Sequence, residues 1–135
     1  MSDQLIRWTG QGLQFEAQTT YGMSVKVGGD VEGPGAKPSD LLPVSLAVCT
    51  SYDVVTILKK QRQTLVGLEV RIHAEQEREA PWAFISIHQH FVLTGVIDEA
   101  KAARAIELSE GRSCSVAATL RPVVRLSHSF EVTTS

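Results

Sequence analysis

Residues 40–62 constrain this chain more than any other stretch. Asp40 is a good helix N-cap, and Pro43 then falls in the first turn, where its missing N–H costs nothing. Leu41, Val44, Val48, Val55 and Leu58 recur at helical spacing, and Leu42, Leu46, Ala47, Val54 and Ile57 widen that apolar face. A helix this apolar has to be central. At roughly 100° per residue, Ser45, Cys49, Tyr52, Asp53, Thr56 and Lys60 fall in a single arc. Cys49 therefore lies in the polar stripe of an otherwise buried helix. The uncharged run 41–52 is twelve residues, shorter than the roughly 20 apolar residues that span a bilayer, so no membrane partner is expected. One small sheet drawn from 135 residues cannot cover so much apolar surface. A second copy is expected to do so, which predicts a homodimer.

The segments around the helix alternate as strands do. Residues 5–9, 13–19 and 23–27 are β-forming runs separated by Gly10-Gln11-Gly12 and Tyr21-Gly22, a meander of hairpins. Residues 28–38 are rich in Gly and Pro and read as a connector; their one lysine, Lys37, does not make a phosphate-cradling loop. Residues 68–74 and 83–94, joined around Pro81, form an antiparallel pair with one face on the core. Asp98 caps a second helix over 99–109, which Gly111 stops. Ser113 or Ser115 caps a shorter helix that Pro122 ends, and a last strand covers 123–132. The expected class is α+β, as one domain over residues 1–135, with no repeat or linker.

Thirteen basic against fifteen acidic side chains, net −2, leave no electrostatic footprint for nucleic acid. The N-terminal residues lack a basic stretch followed by an apolar one, so no signal peptide is expected and the default location is the cytoplasm. In that reducing compartment Cys49 and Cys114 should rest as thiols rather than as a static disulfide. Cys114 follows Arg112 by two positions at a helix start, where the dipole and the cation both favour thiolate. Asp53, one turn from Cys49, should disfavour thiolate there. On these grounds Cys114 is the more activated thiol. His73, His88 and His90 lie on adjacent strands and are read as a solvated sheet face, so no metal is expected. His128 is a strand histidine without an assignable partner. The order of Ser, His and Asp offers hydrolase chemistry no anchor.

Several segments together carry a resemblance. They are Pro38-Ser39-Asp40-Leu41-Leu42, Leu46-Ala47-Val48-Cys49-Thr50-Ser51, and the run from Asp53-Val54-Val55 to Gln61-Arg62-Gln63. Glu107-Leu108-Ser109-Glu110 with Cys114-Ser115-Val116, and Ser127-His128-Ser129-Phe130-Glu131-Val132, complete the set. Over essentially the whole chain the sequence resembles the OsmC/Ohr superfamily, most closely its YhfA-like branch. The resemblance implies an OsmC-like α+β fold, antiparallel sheets around two central helices, in an intertwined dimer. It also implies thiol-dependent reduction of organic hydroperoxides, with no cofactor and an external dithiol as reductant. In that scheme Cys49 attacks the peroxide and Cys114 resolves the sulfenic acid, the reverse of the ranking from local charge. Two departures stand out. Ser39, with Asp40 beside it, occupies the slot where Ohr-type members position a Glu, and Arg7 does not align with their activating Arg. Asp40, Asp53 and Arg112 are the supporting residues left to the thiol pair. A non-catalytic dimeric binding module and a cysteine redox sensor are the alternatives.

Overall fold

The computed structural model describes residues 2–29 and 35–134. Two compact units divide the chain, Met1–Leu42 and Pro43–Ser135.

The first unit is the expected meander. Strands β1 (Leu5–Trp8), β2 (Gln14–Gln18) and β3 (Ser24–Gly28) pair antiparallel in that order. Leu5, Ile6, Trp8 and Val25 are nonetheless exposed. The middle of the Gly- and Pro-rich connector, 30–34, lies outside the described residues.

Helix α1 (Pro38–Lys60) crosses from the first unit into the second. It begins two residues earlier than the capping argument placed it. Proline's fixed φ suits the first helical position, and Pro38 takes it. Asp40 is therefore not the N-cap but an exposed residue of the first turn, where its charge still complements the helix dipole. Pro43 lies buried inside the helix. By length and composition α1 could cross a bilayer, because Asp53 is the one charged residue between Leu41 and Leu58. The core helix of a folded domain meets the same test, and Leu46, Val54 and Leu58 are fully buried here. The apolar surface nonetheless divides in two. Leu46, Ala47, Thr50, Val54 and Leu58 face inward, whereas Val44, Val48 and Tyr52 are exposed.

The second unit holds the core. Strands β4 (Thr64–Gln76) and β5 (Phe84–Val96) pair antiparallel, as their alternation predicts. Gly95, at φ +144°, leaves no room for a Cβ beside the Thr64 carbonyl. Helix α2 (Glu99–Leu108) starts on its expected cap, Asp98, whose carboxylate accepts from the Lys101 amide at 3.2 Å. Gly111 does not stop the helical path. A π turn over Ser109–Ser113 continues it to Cys114, and α3 (Ser115–Leu120) follows. Strand β6 (Arg125–Thr133) then pairs with β5 in parallel. The expectation of antiparallel sheets is corrected at this strand, since the helical crossover after β5 returns the chain to the same end of the sheet. The core joins Val54 and Leu58 of α1, Phe91 and Leu93 of β5, and Ala102, Ala105 and Ile106 of α2. Each large side chain buried there contributes roughly 1.5–3 kcal/mol.

Candidate functional site

Cys49 sits midway along α1, half-buried between its inward face and its open one. Cys114 is the N-cap of α3, a role expected of Ser113 or Ser115. Its Sγ accepts from the Ala117 amide at 3.3 Å. The fold closes the 65 positions between the two cysteines and makes their side chains neighbours. Both sulfurs are free. Thr50, the neighbour of Cys49, lies 3.9 Å from Cys114 Sγ through its hydroxyl, which also donates to the Leu46 carbonyl at 2.9 Å.

The electrostatics run against the activated Cys114 expected from local charge. Cys114 is 1% exposed, and burial is the main cause that pushes its thiol above 9.0. The neighbouring Cys49 pushes the same way, while the Ala117 amide and the Thr50 hydroxyl, both donating to the sulfur, pull down without reversing it. A single helix-start amide does not offset desolvation. Nor does Arg112 help, because its side chain is exposed and makes no ion pair or hydrogen bond among the described residues. Asp53 is engaged elsewhere, accepting from the Ser109 hydroxyl at 2.7 Å. That hydroxyl is fully buried and also lies 3.2 Å from the Thr50 carbonyl. The Asp40 carboxylate has no such partner among the described residues, and Arg7 is an exposed residue of β1.

A second polar group lies where sequence reasoning placed none. Gln89 and His128 are register partners on β5 and β6, so they face the same way. Both reach the Glu110 carboxylate of the π turn, His128 Nδ1 at 3.2 Å and Gln89 Nε2 at 3.5 Å. Hydrogen bonding to Glu110 raises His128 above 6.5, against the desolvation that lowers it. His128 thus has a partner after all. The segments carrying Glu110 and His128 were visible as matched motifs, but nothing in their spacing said that they meet.

The outer face of the same strands holds the other histidines. His88 contacts the Ser127 and Ser129 hydroxyls at 2.7 and 2.9 Å. His90 contacts Ser129 at 2.7 Å and Glu131 at 3.2 Å. These ring nitrogens are spent on protein partners. Among the described residues no three His, Cys, Asp or Glu side chains are grouped to hold a metal.

An open groove of about 570 Å³ runs along the outward side of α1, lined by Val44, Val48, Ser51, Tyr52, Val55 and Val70. Its wall passes on either side of Cys49 in sequence.

Residues 28–129 match the family described as OsmC-like protein. The chain is also 35% identical over 128 residues to Protein YhfA of Escherichia coli strain K12, covering 94% of this chain and 95% of that one. The chain belongs to the OsmC-like family. Within it, the likeness is to the YhfA branch. A crystal structure of a hypothetical protein from Aquifex aeolicus superposes at TM-score 0.89 and 27% identity, covering 100% of this chain and 98% of that one. The organic hydroperoxide resistance protein OhrB of Bacillus subtilis shares the fold at TM-score 0.63, with 15% identity over 97% of this chain and 98% of that one. The OsmC-like α+β fold expected from the sequence is thereby shown, and the likeness to OhrB is one of fold.

Proposed function

We propose that this chain is a thiol-dependent peroxidase that reduces organic hydroperoxides through Cys49 and Cys114. The observation that carries the reading is that the fold sets the two thiols beside each other, one half-buried and one buried, with Thr50, the neighbour of Cys49, at the Cys114 sulfur. The Cys49 thiolate attacks the outer peroxide oxygen, the O–O bond breaks, and the alkoxide leaves as an alcohol after taking a proton. Cys49 is then a sulfenic acid. Cys114 displaces its hydroxyl as water to form the disulfide, and an external dithiol restores both thiols. A buried, reluctant thiolate suits Cys114 to this second role, since a sulfenic acid beside it supplies the driving electrophile. No cofactor enters the cycle.

The groove lined by Val48 and Tyr52, the sequence neighbours of Cys49 along α1, is mostly apolar, which supports an organic rather than a purely polar peroxide. Kinship with organic hydroperoxide resistance proteins supports the same substrate class. The working form is one OsmC-like domain per chain, paired as a homodimer in the cytoplasm, where dithiol reductants are at hand. The exposed apolar faces of α1 and of the first sheet support the pairing.

The test is hydroperoxide consumption by the purified protein with a dithiol reductant. Turnover with an alkyl hydroperoxide, and a Cys49–Cys114 bridge after proteolysis, is the expected result. A single oxidation without turnover would favour a redox sensor. No reaction with any hydroperoxide would leave the groove as the site of a binding module.

A further inference from the structure

Cys114 is delivered by a π turn, and that turn needs explaining. π turns are rare, occur mostly as single turns and are frequent at functional sites. Here both opening residues are clamped. Ser109 is tied to Asp53 and the Thr50 carbonyl of α1. Glu110 is tied to the sheet through His128 and Gln89, while its carbonyl accepts from Arg121 of α3. The Cys114 amide in turn donates to the Ser109 carbonyl at 2.9 Å. Each contact that fixes the turn therefore also fixes Cys114.

Gln89 makes the arrangement more than packing. It lies at 0% exposure among Ile87, Phe91 and Leu93 on the core face of β5, where an apolar residue would serve stability better. Its Oε1 finds no partner among the described residues, and leaving a buried amide oxygen unpaired is costly. What Gln89 gains is the contact of its amide N–H with the Glu110 carboxylate. Only 13% of that side chain is exposed.

We propose that Glu110, gripped by His128 and Gln89, is a positioning residue that holds the π turn so that Cys114 stays buried against Cys49. The inference rests on the disulfide-forming reading of the two thiols, but its test does not depend on peroxide turnover. The charged groups around the latch are Glu110 and Glu107, whose charges both favour protonated His128, and Arg121 on the Glu110 carbonyl. Asp53 faces the turn from α1 through Ser109.

In a Cys49→Ser chain, Cys114 is the remaining thiol, and its alkylation by iodoacetamide reads how often the turn opens. Adding Glu110→Gln keeps the shape but removes the charge, and should speed alkylation roughly tenfold, in line with loss of a charge-assisted hydrogen bond. His128→Ala should do the same, and His128→Gln, which keeps a donor, should restore part of the protection. Should Glu110→Gln lose its native circular dichroism, the two His128 variants carry the test. With Cys49 present, Glu110→Gln should leave trapping of the Cys49 sulfenic acid by dimedone as fast as before while slowing disulfide closure. Faster Cys114 alkylation without peroxide reactivity would keep the positioning role and remove the peroxidase reading. Alkylation at the parent rate in every variant, without rescue to measure, would overturn the proposal.

Discussion

The two sheets are built from similar residues and end in opposite conditions. In the first, Leu5, Ile6, Trp8 and Val25 carry strand-forming side chains that stay exposed. In the second, Ile87, Phe91 and Leu93 are completely buried, with α1 and α2 contributing to the same core. Strand-forming residues occur in both, and within the second unit α1 and α2 bury one face of the sheet. The second unit has its own reason to be stable, and it also contains both cysteines and the π turn. The first sheet leaves apolar side chains exposed instead.

The sharpest way to break this division is through the thiols. Cys49→Ser should abolish hydroperoxide consumption and leave Cys114 as an unmodified thiol, because no electrophilic sulfur forms for it to attack. Cys114→Ser should react once and stall as a sulfenic acid that excess oxidant drives to sulfinic acid. Mass spectrometry of the oxidised variants separates these outcomes. The reverse pattern would give Cys114 the attacking role despite its burial.

Next in size is the core. Phe91→Ala should cost about 3–5 kcal/mol in urea unfolding, since it empties the centre of the second unit. Ile6→Ala, on an exposed side chain, should change single-chain stability by about 0.5 kcal/mol or less. Equal losses would mean that the first sheet is as deeply packed as the second once a partner is present. Light scattering addresses that partner directly. The protein should be a dimer at micromolar concentration, and Val48→Asp, in the open groove of α1, should shift it toward monomer. A monomeric parent would remove the association role from these faces.

Much of this division was readable in advance. Turn residues located the meander, alternation located β4 and β5, and Asp98 located the start of α2. Local signals failed where tertiary context decided the outcome. Gly111 looked like a helix stop, but a Cβ there would meet nothing within 4 Å, and the chain winds on as a π turn. Cys114 looked activated because its sequence neighbours are visible and its burial is not. Only the fold shows that desolvation outweighs one amide and that Arg112 stays in solvent. The meeting of Cys49 with Cys114 followed from family resemblance, while Glu110, Gln89 and His128 converge only because β6 returns parallel to β5.

That convergence gives the smallest expected effect, and it is the one most specific to the second unit. The Glu110 partnership raises His128 above its usual 6.5. A group raised on folding contributes stability that is complete below its unfolded value and lost as pH climbs through the folded one. The His128–Glu110 contribution should therefore be full below pH 6.5 and fade above it. For a pair this near the surface it amounts to about 1 kcal/mol. Cys114, also raised, weakens the fold in the same direction, but only once the unfolded thiol begins to ionise near 9.0. Measuring the parent against His128→Gln at each pH cancels the Cys114 contribution, because both chains carry it. The difference in urea midpoint should shrink as pH rises from below 6.5 to about two units above it, before the thiol titrates. Ile6→Ala, whose neighbourhood in the first sheet holds no such pair, should show a difference that does not move with pH. A His128→Gln difference that stays flat across the same range would mean that the pair is not charged in the folded protein, leaving the π turn to the Ser109 clamp and to the Gln89 and Arg121 contacts with Glu110.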